Sequence, residues 1–176
     1  MSRKNIKNII KEYFFVYPTA KLRVREMERL LQLPLPSVIK YCRELEKEDI
    51  LSTHKIGTVN FYTASQSHDF ILEKKLYNLK QLYTSGLIEY VRQELSNPAI
   101  VLFGSYAKGE DTPQSDIDLY IETPSKKSIN INSYEQKLKR KIQLFQHKSI
   151  KDVKNVHLAN NIINGIVVHK HIEVFK

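Results

Sequence analysis

Two stretches of sequence decide the fold of the C-terminal half: Pro98-Ala-Ile-Val-Leu-Phe103 and Ser115-Asp-Ile-Asp-Leu-Tyr-Ile-Glu122. Both are rich in apolar and β-branched residues, and we expect each to form a β-strand. Successive side chains of a strand point to opposite faces, so Asp116 and Asp118 should share one face while Ile117 lies on the other. The pattern predicts two strands that carry a pair of carboxylates side by side.

The carboxylate pair predicts a metal site. Two carboxylates a few ångströms apart repel each other unless a cation lies between them, and oxygen ligands suit Mg²⁺. An isolated Asp-x-Asp would mean little, because exposed strand ends often carry one. Here it follows a strand and a Gly-Ser turn at fixed spacing. We therefore expect Asp116 and Asp118 to bind Mg²⁺ and to be the catalytic residues.

The residues after the first strand predict a phosphate-binding turn. Gly104 allows the backbone to approach a phosphate closely, and Ser105 offers a hydroxyl and an amide at a predicted helix N-terminus. Lys108 lies one helical turn later and should reach the same phosphates. Gly104, Ser105 and Lys108 are therefore the candidate nucleotide-binding residues. Together with the metal pair they indicate phosphoryl or nucleotidyl transfer.

The order Gly-Ser, ten residues, Asp-x-Asp resembles the small members of the nucleotidyltransferase superfamily of DNA polymerase beta type. Residues 106–115 are the ten residues of that spacing. The stretch Ser115-Asp-Ile-Asp-Leu119 matches the usual sequence of the second motif. The resemblance covers residues 98 to about 170. It implies Mg²⁺-dependent transfer of a nucleotide from an NTP, with ATP as the expected donor, to an unidentified acceptor. It also implies a separate helical protein partner, since some members act as antitoxins that nucleotidylate a toxin.

One position departs from that family. Its members usually carry a third carboxylate on a later strand, which here corresponds to Lys141-Ile-Gln-Leu-Phe-Gln146, after a predicted helix over residues 133–140. The expected acid falls at or near Gln143, and an amide cannot act as a general base. Three explanations remain open. Glu122 or Glu173 substitutes for it, a partner chain or the acceptor completes the site, or the protein binds nucleotide with slow turnover or none.

The last explanation defines an alternative function. If the protein binds nucleotide without transferring it, it is a non-catalytic, nucleotide-sensing, DNA-binding transcriptional regulator with a degenerate transferase site. Gln143 is the residue that favours it.

The first third of the chain predicts three helices and a β-hairpin. Apolar residues at helical spacing predict helices over residues 6–17 and 24–31, and a third helix should start at Pro36, where proline suits the first turn. Two short strands, residues 50–53 and 58–63, then flank a turn that contains a glycine. Residues 3–64 resemble the winged helix-turn-helix family.

That second resemblance implies a DNA-binding surface. In such modules the third helix enters the major groove, and a hairpin forms the wing. The residues that would face DNA are Ser37, Lys40, Tyr41, Arg43 and Lys55. Winged helices also dock onto proteins, and acidic residues in and after the third helix dilute its positive charge. DNA binding and protein docking therefore both remain open.

Composition agrees with a polyanionic partner. The 176 residues include 28 Lys and Arg against 19 Asp and Glu, a formal net charge of +9, which favours nucleic acid or nucleotide phosphates, although solubility alone would also explain it. No apolar run approaches the roughly 20 residues that span a membrane. Cys42 is the only cysteine, which fits a reducing cytosol, and we expect a cytoplasmic protein with Cys42 in its core.

The fold class predicted from these elements is α+β. It consists of an N-terminal winged helix-turn-helix over residues 1–65, a helical connector over 66–96 and an α/β nucleotidyltransferase domain with a small mixed sheet over 97–176. The connector should bend near Ser85-Gly86. Its apolar face packs on one or both modules or forms a dimer seam, so the oligomeric state stays open.

Two further features of the sequence are interpreted as structural rather than functional. The pair His169-x-His171 has a spacing that some metal sites use, but we expect an exposed strand end because no third ligand is evident. The basic residues between the predicted last helix and the strand that follows are expected to form a solvated helix face rather than a nucleic-acid track. They are Lys137, Lys139, Arg140 and Lys141.

Overall fold

The computed structural model describes residues 5–174. The chain divides into two compact units between Tyr77 and Asn78, a boundary that falls inside the helix His68–Thr84. The outermost residues of the predicted first and last segments, 1–4 and 175–176, lie outside the described part of the chain.

The first unit contains three complete helices, the first part of the helix His68–Thr84 and a three-stranded antiparallel sheet. Its elements are α1 (Ile6–Val16), β1 (Lys21–Leu22), α2 (Val24–Leu31), α3 (Leu35–Lys47), β2 (Leu51–Ile56) and β3 (Val59–Ala64). The three predicted helices and the hairpin are confirmed. The sequence did not predict β1, which pairs with β3 to give the strand order β1-β3-β2. The two residues of β1 are too few to show the alternation of polar and apolar side chains by which a strand is recognised in a sequence.

Local chemistry explains where these elements start and turn. The Asn5 side chain accepts a hydrogen bond from the Lys7 amide and caps α1, while Pro36 occupies the first turn of α3. Gly57 adopts a positive φ of 61° in the turn between β2 and β3. The core of the unit is apolar, and it includes Cys42 as predicted. Its fully buried members are Ile10, Phe14, Met27, Val38, Cys42 and Leu45.

The second unit begins inside α4 (His68–Thr84). It continues with α5 (Leu87–Glu94), β4 (Ala99–Phe103), α6 (Gly104–Lys108), β5 (Ile117–Glu122), α7 (Asn132–Leu138), β6 (Ile142–His147), α8 (Val156–Ile163) and β7 (Ile166–His169). The predicted interruption of the connector is confirmed at Gly86, whose φ is 86°.

The sheet of the second unit is mixed, as predicted. Its strand order is β6-β5-β4-β7, in which β5 and β6 run parallel and the other neighbours run antiparallel. All five residues of β4 are buried. One set of strand side chains, among them Leu102 and Leu119, packs with Leu82 and Val91, and the other set, among them Tyr120, packs with residues that include Ile162.

The close packing of the strands leaves no space for a side chain at Gly165, where a Cβ would lie 2.6 Å from the Leu102 carbonyl oxygen.

Within residues 5–174, no helix has both the length and the apolar character needed to cross a membrane.

Candidate active site

The edge of the mixed sheet where β4 ends and β5 begins brings the predicted site residues together. Phe103 pairs with Asp118 in the antiparallel register, so Gly104, the first residue of α6, lies beside the Asp118 carboxylate. Gly104 has a φ of 75°, and a Cβ built on it would overlap Asp118 Oδ2. Both the backbone conformation and the space that the carboxylate fills therefore favour glycine at this position.

The two aspartates are half-buried and close enough to interact. Asp116 directly precedes β5, and Asp118 is its second residue. Burial, and then the negative charge of Asp116, raise the pKa of the Asp118 carboxyl above its usual range. Within residues 5–174, the Asp118 carboxylate accepts no hydrogen bond and forms no ion pair. A half-buried carboxylate that has an anionic neighbour and no donor fits a site for a hard divalent cation.

Gln143, on the neighbouring strand β6, also lies beside the pair Asp116 and Asp118. Strand β6 runs parallel to β5 and places Gln143 opposite Asp118. The Gln143 side chain donates a hydrogen bond from Nε2 to Asp116 Oδ2 at 2.5 Å. The NH₂ group must face the carboxylate, because an ionised carboxylate can only accept. The position where a third acid was expected is thus occupied by a neutral amide bound to Asp116.

Neither glutamate considered as a substitute joins the pair. Glu122 is at the far end of β5, where its carboxylate accepts hydrogen bonds from the Tyr120 hydroxyl at 3.1 Å and the Ile150 amide at 2.8 Å. Glu173 is exposed and lies 3.9 Å from His171. In the described chain no three His, Cys, Asp or Glu side chains form a metal-binding group. The described structure therefore gives no support to the explanation that Glu122 or Glu173 supplies the third carboxylate.

The candidate phosphate-binding groups are accessible. Gly104 and Ser105 begin α6, Ser105 is half-buried, and Lys108 is exposed in the last turn. In residues 5–174 neither the Ser105 hydroxyl nor the Lys108 ammonium has a hydrogen-bond or ion-pair partner. Both groups can therefore bind an anionic ligand without first breaking a contact within that part of the chain.

A buried ion pair holds the loop between α6 and β5. Asp111 is 1% exposed, lies 3.5 Å from the Arg140 guanidinium and accepts a hydrogen bond from Asn78 Nδ2 at 2.7 Å. Asn78 also donates to the Tyr106 carbonyl oxygen at 3.0 Å, which ties the same loop to α6. No periodicity or spacing in the sequence indicates this network, because it joins residues far apart in the chain.

Arg140 corrects one expectation from the sequence. Its side chain is only 6% exposed, so it does not belong to a solvated basic face. The other three members of the predicted cluster, Lys137, Lys139 and Lys141, are exposed as expected.

An open cleft of about 600 Å³ adjoins Asp116. It lies between the loop that precedes β5 and the segment from α7 to the start of β6, and most of its lining residues are polar or charged. The lining residues are Pro113, Gln114, Ser115, Asp116, Asn132, Glu135, Gln136, Lys139, Arg140 and Lys141. No pattern in the sequence indicates this cleft, which is large enough for part of a nucleotide or an acceptor.

The candidate DNA-binding residues of the first unit fall into three groups. Lys40 and Arg43 are exposed and line one groove along α3, of about 540 Å³, whereas Lys55 is exposed on β2 outside that groove. Ser37 and Tyr41 are half-buried, and Tyr41 packs partly against the core. Lys47, which the sequence did not single out, also lines the groove.

The histidine pair differs in part from expectation. His169 is half-buried at the end of β7, and its Nδ1 lies 2.6 Å from the Pro98 carbonyl oxygen. His171 is 82% exposed, as expected of the end of a strand.

Comparison with known families gave one match. The family model described as "Nucleotidyltransferase domain" matches residues 85–174, half of the chain, and the match includes both aspartates, Gly104 and Gln143. Comparisons with curated proteins and with solved structures gave no match.

Proposed function

Because the chain belongs to the nucleotidyltransferase domain family, we propose that it transfers a nucleotide from an NTP, with ATP as the expected donor, to an acceptor. The observation that supports this function best is the arrangement of Gly104, Asp116 and Asp118. A half-buried carboxylate without a donor in the described chain lies beside a second carboxylate and against a glycine whose Cβ would overlap it.

Asp116 and Asp118 would hold Mg²⁺, since two carboxylates with free oxygens match the ligands this cation prefers. When bound, the cation would neutralise charge on the triphosphate and on the departing pyrophosphate. Ser105 would donate its hydroxyl to a phosphate oxygen, and the Lys108 ammonium would pair with the triphosphate.

For the first unit we propose a winged helix-turn-helix that docks on DNA. The element order from α1 to β3 and the strand order β1-β3-β2 support this assignment. Lys40 and Arg43 would contact phosphates or base edges from the α3 groove, and Lys55 would act from the hairpin. Glu44 lines the same groove, so docking on a protein partner, such as a separate helical protein, is the competing use of this surface.

Gln143 favours a second candidate function. An amide bound to Asp116 cannot accept a proton from an attacking hydroxyl. A protein with this site could bind nucleotide without transferring it and report nucleotide levels to a DNA-binding unit. Such a regulator would bind ATP and Mg²⁺ and would label no acceptor.

Transfer of label from ATP separates these functions. The full chain is incubated with Mg²⁺, ATP labelled at the α-phosphate and candidate protein and nucleic-acid acceptors, beside Asp118→Asn and the control Asp69→Asn. Asp69 is an exposed residue of α4. The transferase predicts label on an acceptor with wild type and Asp69→Asn, and none with Asp118→Asn. ATP binding without label on any acceptor supports the regulator, and absence of both ATP and metal binding rejects both functions.

A further inference from the structure

Gln143 and Asp116 form a contact that bears on how many cations the site can hold. This inference rests on the proposed function, because it concerns the metal that the nucleotide would bring. The contact joins Gln143 of β6 to Asp116, the residue directly before β5. Gln143 is the cross-strand partner of Asp118, and its amide reaches the other aspartate.

The negative charge of the two aspartates equals in magnitude the positive charge of one divalent cation. Asp116 and Asp118 contribute a formal charge of −2 when both are ionised, and Gln143 contributes none. No other His, Cys, Asp or Glu side chain of the described chain completes a group of three with them. One divalent cation therefore balances the charge of the protein ligands, whereas a second would rely on the nucleotide and water alone.

The direction of the Gln143 amide disfavours a cation on its side. An N–H donor presents the positive end of its dipole, and here it points at Asp116 Oδ2. It therefore occupies a lone pair of that oxygen and repels a cation that approaches the same oxygen. The Asp118 carboxylate has no such donor within residues 5–174. The two aspartates are thus unequal, and the Asp118 carboxylate would be the less obstructed ligand for a cation.

We propose that Gln143 limits the site to a single divalent cation, by giving Asp116 an N–H donor where a second cation would bind. Gln143 is a positioning residue in this account. It holds the Asp116 carboxylate in place and takes up part of its charge. The single cation is the one that binds the triphosphate, and activation of the acceptor hydroxyl is left to the acceptor itself or to a partner.

Counting bound Mn²⁺ tests this directly. Mn²⁺ replaces Mg²⁺ in oxygen sites, and the electron paramagnetic resonance signal of free Mn²⁺ reports how much is bound. The full chain is titrated with Mn²⁺ in the presence of saturating α,β-methylene-ATP, which cannot be cleaved between its α- and β-phosphates. Wild type is compared with Gln143→Glu, and with Gln146→Glu as matched control. Gln146 lies on the same strand, and its side chain donates to the Lys127 carbonyl oxygen instead of an aspartate.

We expect one Mn²⁺ per complex for wild type and for Gln146→Glu, and two for Gln143→Glu. The second cation should bind the Glu variant at least about tenfold more tightly than wild type, the scale of effect that ligand-supporting groups have on metal affinity. A thermal melt with and without Mn²⁺ confirms that each variant is folded.

Two results would overturn the inference and leave the proposed function in place. Wild type that binds two Mn²⁺ per complex has room for the second cation despite Gln143. A Gln143→Glu variant that still binds one shows that the amide is not what excludes it. Wild type that binds neither Mn²⁺ nor the nucleotide analogue rejects the proposed function itself, and the inference with it.

Discussion

Gly104 and Asp118 lie so close together that a single methyl group on the glycine would overlap the Asp118 carboxylate. The contact arises because Phe103, the last residue of β4, is the cross-strand partner of Asp118, so the turn into α6 begins beside the carboxylate. The spacing between Gly-Ser and Asp-x-Asp thus has a physical meaning. It closes a loop that returns the second aspartate to the point where the first strand ends.

Replacing Gly104 by alanine should therefore damage both folding and binding. A residue with a Cβ at this positive φ costs about 1–2 kcal/mol, and the added methyl group must also displace Asp118. We expect a larger loss of unfolding free energy than that, together with loss of Mg²⁺-ATP binding. Urea denaturation and isothermal titration with Mg²⁺ and α,β-methylene-ATP measure the two effects.

Gly57→Ala is the matched control, since Gly57 has a φ of 61° and nothing within 4 Å of its added Cβ. It should lose only the backbone contribution and keep nucleotide binding. Equal effects of the two substitutions would show that the contact with Asp118 is unimportant.

Asp118→Asn should stabilise the metal-free protein at neutral pH. Burial and Asp116 raise the pKa of Asp118, so its neutral form is favoured in the folded state. The wild type is most stable below the pKa that the Asp118 carboxyl has in the unfolded chain. It loses stability as the pH rises through the higher pKa that this carboxyl has in the folded protein. Asparagine cannot ionise, so the difference in melting temperature between variant and wild type should grow with pH over that range in the presence of EDTA.

Added Mg²⁺ should reverse this order, because the cation compensates the two negative charges and binds the wild type alone. An asparagine variant that is less stable than wild type at pH 7 in EDTA would contradict the account of the pair as a strained cation site.

Arg140→Ala should destabilise the second unit strongly. It removes the cation that accompanies the buried Asp111 carboxylate, and breaking a buried ion pair from one side costs about 3–5 kcal/mol. Lys139→Ala, next in the chain and exposed, should change the free energy of unfolding by less than about 0.5 kcal/mol. Urea denaturation of both variants checks this. Equal, small effects would mean that Asp111 and Arg140 do not hold the loop.

Removing basic residues from the α3 groove should weaken DNA binding in a salt-dependent way. Each basic side chain that no longer neutralises a phosphate should reduce the slope of log affinity against log salt by about 0.9. We expect a lower slope for Lys40→Ala, Arg43→Ala and Lys47→Ala, and an unchanged slope for Lys126→Ala, an exposed lysine of the second unit. Fluorescence anisotropy with a DNA duplex at several salt concentrations measures it. Binding that is insensitive to salt and to all three residues would favour a protein as the partner.

Much of the fold could be predicted from the sequence because its signals are local. Apolar, β-branched runs indicate β4 and β5, and a glycine and a serine between them indicate the turn into α6. The order of helices and hairpin in the first unit follows in the same way. Strand β1 could not be predicted, since its pairing with β3 depends on where the chain returns after α3.

The site could be predicted only in part, because its finer features depend on tertiary contacts. The aspartates and Gly104 follow from the motif, and Gln143 follows from counting strands. That the Gln143 amide binds Asp116, and that Arg140 is buried with Asp111, requires knowing which strand lies beside which. Basic residues in a row are typical of a solvated face, yet one of them serves a buried carboxylate.

The most direct measurement of the central claim compares ATP labelled at the α-phosphate with ATP labelled at the γ-phosphate. Both are incubated with the full chain, Mg²⁺ and the same acceptors. Nucleotidyl transfer forms a bond to the α-phosphorus and releases pyrophosphate, so the account predicts that the α-label reaches the acceptor, that the γ-label does not, and that Asp118→Asn transfers neither. An acceptor that takes the γ-label, or α-label transfer that persists in Asp118→Asn, would contradict it.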